Sequence, residues 1–423
     1  MIDKSILPAH WEVKKLGEVV KTTSGGTPSR KEAKFYNGTI PWVKSGELNQ
    51  GLILDTEEKI TQEAIINSSA KLFPKGTLLI ALYGATIGKL AFLGIEAATN
   101  QAVCGIFEND KIDSKYIYYY LYFSKPDLLK QSIGGAQPNI SQTILKDLPI
   151  TLPPLSEQQE IVAKIEELFS ELDKGKEQLE TTLKQLKVYR QAVLKWAFEG
   201  RFTNSEVKDG ELPEGWTWVK LGDLMESVRN GYSKKPDSEG PYKILRISSV
   251  RPGKVEINDI RFLLSEIGDE NSVQENDLLF TRYNGSIDYV GVCGRVPLLK
   301  EKLYYPDKLI RCRPLNKAKF HSAYLEYASN SGNAREFVLS RIKTTAGQTG
   351  IAGSEIKQIP IPLAPLEEQQ LIVQEIESRL SVCDKVEETI TKGIQQAETL
   401  RQSILKKAFE GKLVTNEHYI HEL

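Results

Sequence analysis

Apolar side chains recur in steps of four and three along residues 155–200: Ile161, Ile165, Leu168, Leu172, Leu179, Leu186, Tyr189, Val193 and Trp196, with Gly175 and Thr182 at the intermediate positions. This spacing predicts one long helix carrying a heptad seam. Pro153-Pro154 precede it, Ser156 with Gln159 can cap its first turn, and Gly200 can stop it. At 1.5 Å per residue such a helix is roughly 65 Å long. Residues 367–411 repeat the design through Ile372, Ile376, Leu380, Cys383, Val386, Ile390, Ile394, Ala397 and Ile404. A small globule cannot cover so long a seam. The two helices are therefore expected to pair with each other, antiparallel if the halves of the chain are related by an approximate two-fold. The expected pairing positions are Ile165, Leu168, Leu172, Leu179 and Leu186 on the first helix and Ile376, Leu380, Ile390 and Ile394 on the second.

Residues 1–150 and 205–360 have another texture. Short β-rich runs alternate with turns: Thr39 to Lys44, Thr77 to Ala81, Lys89 to Leu93, then Tyr242 to Ile247, Asp277 to Arg282 and Tyr289 to Cys293. Ser24-Gly25-Gly26-Thr27-Pro28, Pro252-Gly253 and Asn284-Gly285 mark turns. Helices are expected near Ser114–Ser124 and across Ala323–Ser340. The chain is thus an α+β protein of four segments: globule 1–154, long helix 155–204, globule 205–365, and long helix with tail 366–423.

The two halves are copies. Arg190-Gln191, Leu194-Lys195 and Ala197-Phe198-Glu199-Gly200 return as Arg401-Gln402, Leu405-Lys406 and Ala408-Phe409-Glu410-Gly411, at an offset of 211. Leu155-Ser156-Glu157-Gln158-Gln159 returns as Leu366-Glu367-Glu368-Gln369-Gln370, and Asp173 as Asp384. Farther upstream the offset shrinks. Leu7-Pro8, Trp11 and Lys15-Leu16-Gly17 match Leu212-Pro213, Trp216 and Lys220-Leu221-Gly222 at 205, and Leu78-Leu79 with Tyr83 matches Leu278-Leu279 with Tyr283 at 200. Length changes concentrate in surface loops, so each globule is a constant frame with a variable interior. The period far exceeds that of a solenoid repeat, and each copy must hold its own core.

Composition removes several classes. No apolar run reaches the roughly 18 residues that a membrane span requires. The N-terminus lacks the pattern of a signal peptide. The four cysteines are scattered, which fits buried free thiols of a cytoplasmic protein rather than a metal or disulfide framework. Net charge is −1. Residues 1–150 carry 17 Lys+Arg against 15 Asp+Glu, and residues 361–423 carry 7 against 11. If DNA is the ligand, this chain alone releases few counterions and partner subunits must supply much of the affinity.

Reactive groups are sparse. His10, His321, His418 and His421 form no motif with cysteines or carboxylates. Gly84-Ala85-Thr86-Ile87-Gly88-Lys89-Leu90 is one residue short of a phosphate loop and ends in Leu where Ser or Thr would hold magnesium. Leu152-Pro153-Pro154-Leu155 lacks the Asn and aromatic of a methyltransferase motif. The expectation is a non-catalytic protein without a metal site.

Two variable globules, each followed by a long helix that opens on Leu-x-Glu-Gln-Gln and closes on Ala-Phe-Glu-Gly, resemble the specificity subunit of Type I restriction-modification enzymes. The entry signature Leu-Pro-x-x-Trp with Lys-Leu-Gly occurs in both copies, and the resemblance covers essentially the whole chain. It implies two target recognition domains, each reading one half of a split sequence in double-stranded DNA. The paired helices would set the spacer and dock two adenine-methyltransferase subunits that bind S-adenosylmethionine. Two motor-nuclease subunits using ATP and Mg would join for cleavage, in a prokaryotic cytoplasm, and this chain would bind no cofactor itself.

The residues suggest where each role falls. Loop positions aligned between the copies nominate DNA contacts: Lys44, Tyr83, Thr86, Lys89, Asn100, Gln101, Gln137 and Asn139 in the first globule, and Arg246, Arg282, Tyr283, Asn284, Gln348 and Thr349 in the second. Guanidinium groups suit guanine or phosphate, and amides suit adenine edges. The repeated helix ends nominate a partner-docking surface: Arg190, Gln191, Phe198 and Glu199, with Arg401, Gln402, Phe409 and Glu410. An adaptor with two protein-binding modules and no DNA is the competing reading; it predicts no salt-dependent DNA binding even with partners present.

Overall fold

The computed structural model describes residues 4–132, 139–204, 206–208, 210–315, 320–345 and 348–414. Its contacts divide the chain into two compact units, Met1–Leu179 with Lys392–Leu423, and Glu180–Thr391. The long helices are Leu155–Phe198 and Leu366–Phe409, and each contributes one stretch to either unit. A unit therefore consists of one globule, the start of the helix that follows it, and the end of the other helix.

Both units follow one plan. In the first, strands Thr22–Ser24, Val103–Ile106, Leu78–Ala81, Leu90–Leu93 and Gly51–Ile53 lie side by side in that order, and Glu58–Ile60, Tyr36–Val43, Ala97–Thr99 and Leu72–Phe73 form a second sheet. In the second unit the sheets are Met225–Asn230, Leu309–Pro314, Leu278–Thr281, Cys293–Arg295 and Ile260–Leu263, Tyr242–Leu245, Leu303–Tyr304, Ser272–Val273. Entry and exit of each globule are zipped as an antiparallel pair, Glu12–Lys15 on Pro149–Leu152 and Thr217–Lys220 on Pro360–Leu363. The strand Leu78–Ala81 is apolar at every position because both its faces are buried. Leu78 and Ile80 join one core and Leu79 and Ala81 another, as alternating strand side chains must. Leu278, Leu279 and Phe280 divide in the same way.

Several expectations are corrected. The run Ala323–Ser340 is two helices, Ser322–Ser329 and Gly332–Arg341, because Asn330 ends the first. Asn330 turns its amide to the backbone of Cys293, donating at 2.8 Å and accepting at 2.9 Å. The strand expected at Tyr289–Cys293 begins only at Cys293, and Ile287–Tyr289 is a 3-10 turn. The first globule's helix is longer than expected, Ser114–Lys130, and contains Pro126. The helix stops stand as expected: Gly200 (φ 74°) and Gly411 (φ 68°) are left-handed. All four cysteines are buried and free, and burial pushes the Cys104 thiol up to about 11.

Within each unit the two helix segments run antiparallel. In the first, Arg401 pairs with Asp173 while Lys176 meets Glu398 at 3.0 Å. In the second, Arg190 bridges Asp384 (2.7 Å) and Glu387 (2.9 Å). Arg190–Asp384 and Arg401–Asp173 are the same pair at the offset of 211, which explains why all four residues are kept. Exposed pairs of this kind contribute about 0.2–1 kcal/mol each, so they fix register more than stability. The seam itself is less uniform than its heptads suggest. Ile165 and Ile376 are buried and Leu168 and Leu380 half-buried, but in cores shared with the globules. Leu172 also borders the first of these cores. Leu179, Leu186 and Ile394 are half-buried and Ile390 is buried. Tyr189, Trp196 and Val386, expected on the seam, are exposed, because toward the helix end Val193, Leu194, Ala197 and Phe198 turn inward instead.

Candidate nucleic-acid interface

The Leu-x-Glu-Gln-Gln signature is a lock between helix and globule. Glu157 accepts the indole N–H of Trp11 (3.1 Å) and lies 2.8 Å from His10 Nε2; Glu368 accepts the indole N–H of Trp216 (2.9 Å). Gln158 accepts the backbone N–H of Asp113 (2.8 Å) and donates to the Pro153 carbonyl (2.9 Å). Gln369 does the same with His321 (2.8 Å) and Ala364 (2.7 Å). Asp113 and His321 stand at the N-termini of the globule helices, so each glutamine ties a long helix to the head of a short one. Glu157→Ala would strand a buried indole donor, and the expected loss is about 1–3 kcal/mol in denaturant unfolding, with Glu157→Gln recovering part of it.

The repeated helix ends close the same joint from the other side. Phe409 is fully buried, with ring centroids 5.4 Å from Tyr116, 4.9 Å from Tyr120 and 5.4 Å from Phe123. Phe198 meets Tyr324 at 5.2 Å. Tyr116 and Tyr324 in turn donate their hydroxyls to the carbonyls of Thr151 (2.8 Å) and Pro362. This corrects the expectation of an outward docking surface at Phe198, Phe409, Arg190 and Arg401: the phenylalanines are core and the arginines bind the other helix. Glu199 pairs with Arg201 and Glu410 with Lys412, each beside its own helix end. Gln191 and Gln402 remain exposed. A groove of about 460 Å³ runs past Gln191, Leu194, Phe198, Glu199 and the half-exposed Trp218.

The nominated DNA contacts fall into three groups. Lys44 pairs with Glu57 and, at 3.1 Å, Glu58, and Arg246 pairs with Asp259 at 3.1 Å. Lys44–Glu57 and Arg246–Asp259 coincide at an offset of 202, so this ion pair belongs to the constant frame and answers both cations internally. Asn100 Oδ1 accepts the N–H of Ala102 (3.2 Å) and Gln101 accepts from Thr27, which makes both part of a turn. The third group sits together at a loop tip. Tyr83 is 38% exposed and bridges to Asn139 in antiparallel fashion. Thr86 donates to the Tyr83 carbonyl (2.8 Å), and Lys89 follows, half-buried. In the second globule Tyr283 and Asn284 pair with Gly350 and Thr349. Arg282 stacks on the Tyr283 ring, 4.7 Å from its centroid. Gln348 lies on the same strand by its backbone; its side chain, Gln137, His418 and His421 fall outside the described residues. Sequence reasoning missed Lys308 and Lys343, which border this tip, because neither aligns with a basic residue in the other copy.

Among the described residues no group of His, Cys, Asp or Glu could hold a metal ion, and no helix is long and apolar enough to cross a membrane. The two joints are alike, and the loop tips they carry differ in sequence. The comparisons give the family. The family model for the Type I restriction modification DNA specificity domain matches twice, over residues 8–184 and 213–396. The chain is 34% identical over 424 residues to the specificity subunit of the Type I restriction enzyme EcoKI of Escherichia coli K12, covering 96% of this chain and 90% of that one. It is 28% identical to the StySPI specificity subunit of Salmonella potsdam, covering 97% and 91%. Among solved structures, a chain from a type I restriction-modification assembly superimposes with a TM-score of 0.75 at 21% identity, covering 96% of this chain and 99% of that chain. The HsdS subunit of Thermoanaerobacter tengcongensis does so with 0.59 at 20% identity, covering 96% and 98%. The chain belongs to the Type I restriction-modification DNA specificity family. It is the non-catalytic DNA-recognition subunit of such a system.

Proposed function

We propose that each globule reads one half of a bipartite sequence in double-stranded DNA, and that the helices between them fix the spacer and carry two methyltransferase subunits. The observation that supports this most directly is the duplicated joint. The same Trp–Glu, Gln–backbone and Phe–Tyr contacts hold a globule to both helices in each unit, so two variable readers are mounted on one constant frame. A frame that fixes two readers sets which half-sites are accepted and how far apart they lie. S-adenosylmethionine would be bound by the methyltransferase partner, and ATP and Mg by a motor-nuclease partner. This chain would bind no cofactor and act in the prokaryotic cytoplasm. The exposed Gln191, Gln402 and Trp196 are among the helix positions open to partners. Co-expression with the partner methyltransferase and affinity capture tests the assembly. Co-purification with salt-dependent binding to a bipartite duplex is the expected result. Capture with no DNA binding at any salt concentration would leave an adaptor instead.

A further inference from the structure

The second globule carries a small three-stranded sheet. Lys343–Thr345 pairs antiparallel with Gln348–Gly350, which pairs antiparallel with Tyr283–Asn284. Direct cross-strand partners share a face. Asn284, Thr349 and Thr344 are such partners and form one row; Tyr283, Gly350 and Lys343 form the next row, on the opposite face. The two faces differ in chemistry. The tyrosine row is the support: a Cβ on Gly350 would fall 2.3 Å from the Tyr283 ring, so the ring packs closely on that strand, and Arg282 stacks over it. The other row is wholly polar. Thr344 and Thr349 hydroxyls touch at 3.3 Å, and Asn284 Oδ1 accepts the N–H of Ser286 (3.1 Å), which leaves its amino group as the end that can donate to a ligand.

Thr344 is exposed and Asn284 and Thr349 are half-buried, so the row reaches the surface. Its groups match what a duplex presents. Amide and hydroxyl groups can bond base edges in the major groove, and threonine methyls can meet the thymine methyl. Three strands at about 4.8 Å spacing make the row about 10 Å wide, within a groove about 12 Å across. Arg282, stacked on Tyr283, and Lys308 adjoin the base of the ribbon and Lys343 lies on its opposite face; among the described residues no ion pair joins a carboxylate to any of the three, which leaves three cations beside the ribbon for phosphates. The adjoining loop is fixed in place: Arg335 donates to the carbonyls of Val290 (2.6 Å), Asp288 (2.9 Å) and Ile287 (3.2 Å). In the first globule Tyr83 bridges to Asn139 where Tyr283 meets Gly350.

We infer that this ribbon is the base-reading element of the second globule, with Asn284, Thr349 and Thr344 facing the bases of one half-site in the major groove. The inference rests on the bipartite reading proposed above. The test uses the full chain in its co-purified assembly and a duplex library with both half-sites randomised. Thr349→Val keeps shape and removes the hydroxyl; Thr344→Val does so at a more exposed position; Asn284→Ala removes the amide. The expected result is a wild-type bipartite motif in which each variant relaxes one or two adjacent positions of a single half-site. Discrimination there should fall by about 10- to 100-fold, with the other half-site and the spacer unchanged. A bipartite wild-type motif that all three variants reproduce without change would overturn the ribbon assignment alone. A wild type that selects no bipartite motif would overturn the broader reading and this inference with it.

Discussion

Replacing Phe409 with alanine is expected to lower the stability of the first unit by about 3–5 kcal/mol, the range for emptying a buried aromatic site. Phe409 is the last residue of the second long helix, yet its ring is fully buried among Tyr116, Tyr120 and Phe123 of the first globule. Two of its neighbours are held by their own hydroxyls, Tyr116 on the Thr151 carbonyl and Tyr120 on the Pro149 carbonyl, which limits collapse into the gap. Phe198→Ala should cost less. That ring is 8% exposed and meets one aromatic partner, Tyr324. Urea unfolding of the full chain should therefore lose its first transition earlier in Phe409→Ala than in Phe198→Ala. Equal, small effects of under about 1 kcal/mol would mean that the helix ends are not part of the cores.

Adding four residues within 175–185 is expected to lengthen the spacer that the assembly accepts while leaving both half-sites unchanged. Four helical residues add about 6 Å, close to two base pairs at roughly 3.4 Å each. The site is suitable because it lies between the two joints. Gly175 has open space around it, and Leu179 and Leu186 are only half-buried, so an insertion there disturbs neither globule core. Methylation mapping of the insertion mutant reads the spacer directly. A recognition motif identical to that of the wild type would remove the spacer role from the helices.

The duplication, the long helices and their antiparallel pairing were legible in the sequence because repetition and a 3.5-residue period leave local traces. What those traces mean was not legible. A heptad pattern records that Ile165 and Ile376 are buried, not whether a helix or a globule buries them, and here both do. Phe198 and Phe409 read as exposed because their partners lie far away in sequence, the tyrosines of another segment. Glu157 and Glu368 were legible only as part of the repeated Leu-x-Glu-Gln-Gln. Only the fold brings Trp11 and Trp216 to them, although both pairs were visible as residues kept in both copies. Lys44 and Arg246 show the converse. Coincidence between copies marks the shared frame, whereas residues that read different half-sites should differ, as Asn284 and Thr349 do from their counterparts.

If each globule owns one half-site on a shared frame, the half-sites should be exchangeable one at a time. The most direct test exchanges residues 1–150 for the corresponding globule of another family member. Adenine methylation is then mapped by single-molecule sequencing of DNA from cells that also express the partner methyltransferase. The expected result is a bipartite motif in which one half is replaced, while the other half and the spacer are retained. A motif that is unchanged, or altered in both halves at once, would contradict it.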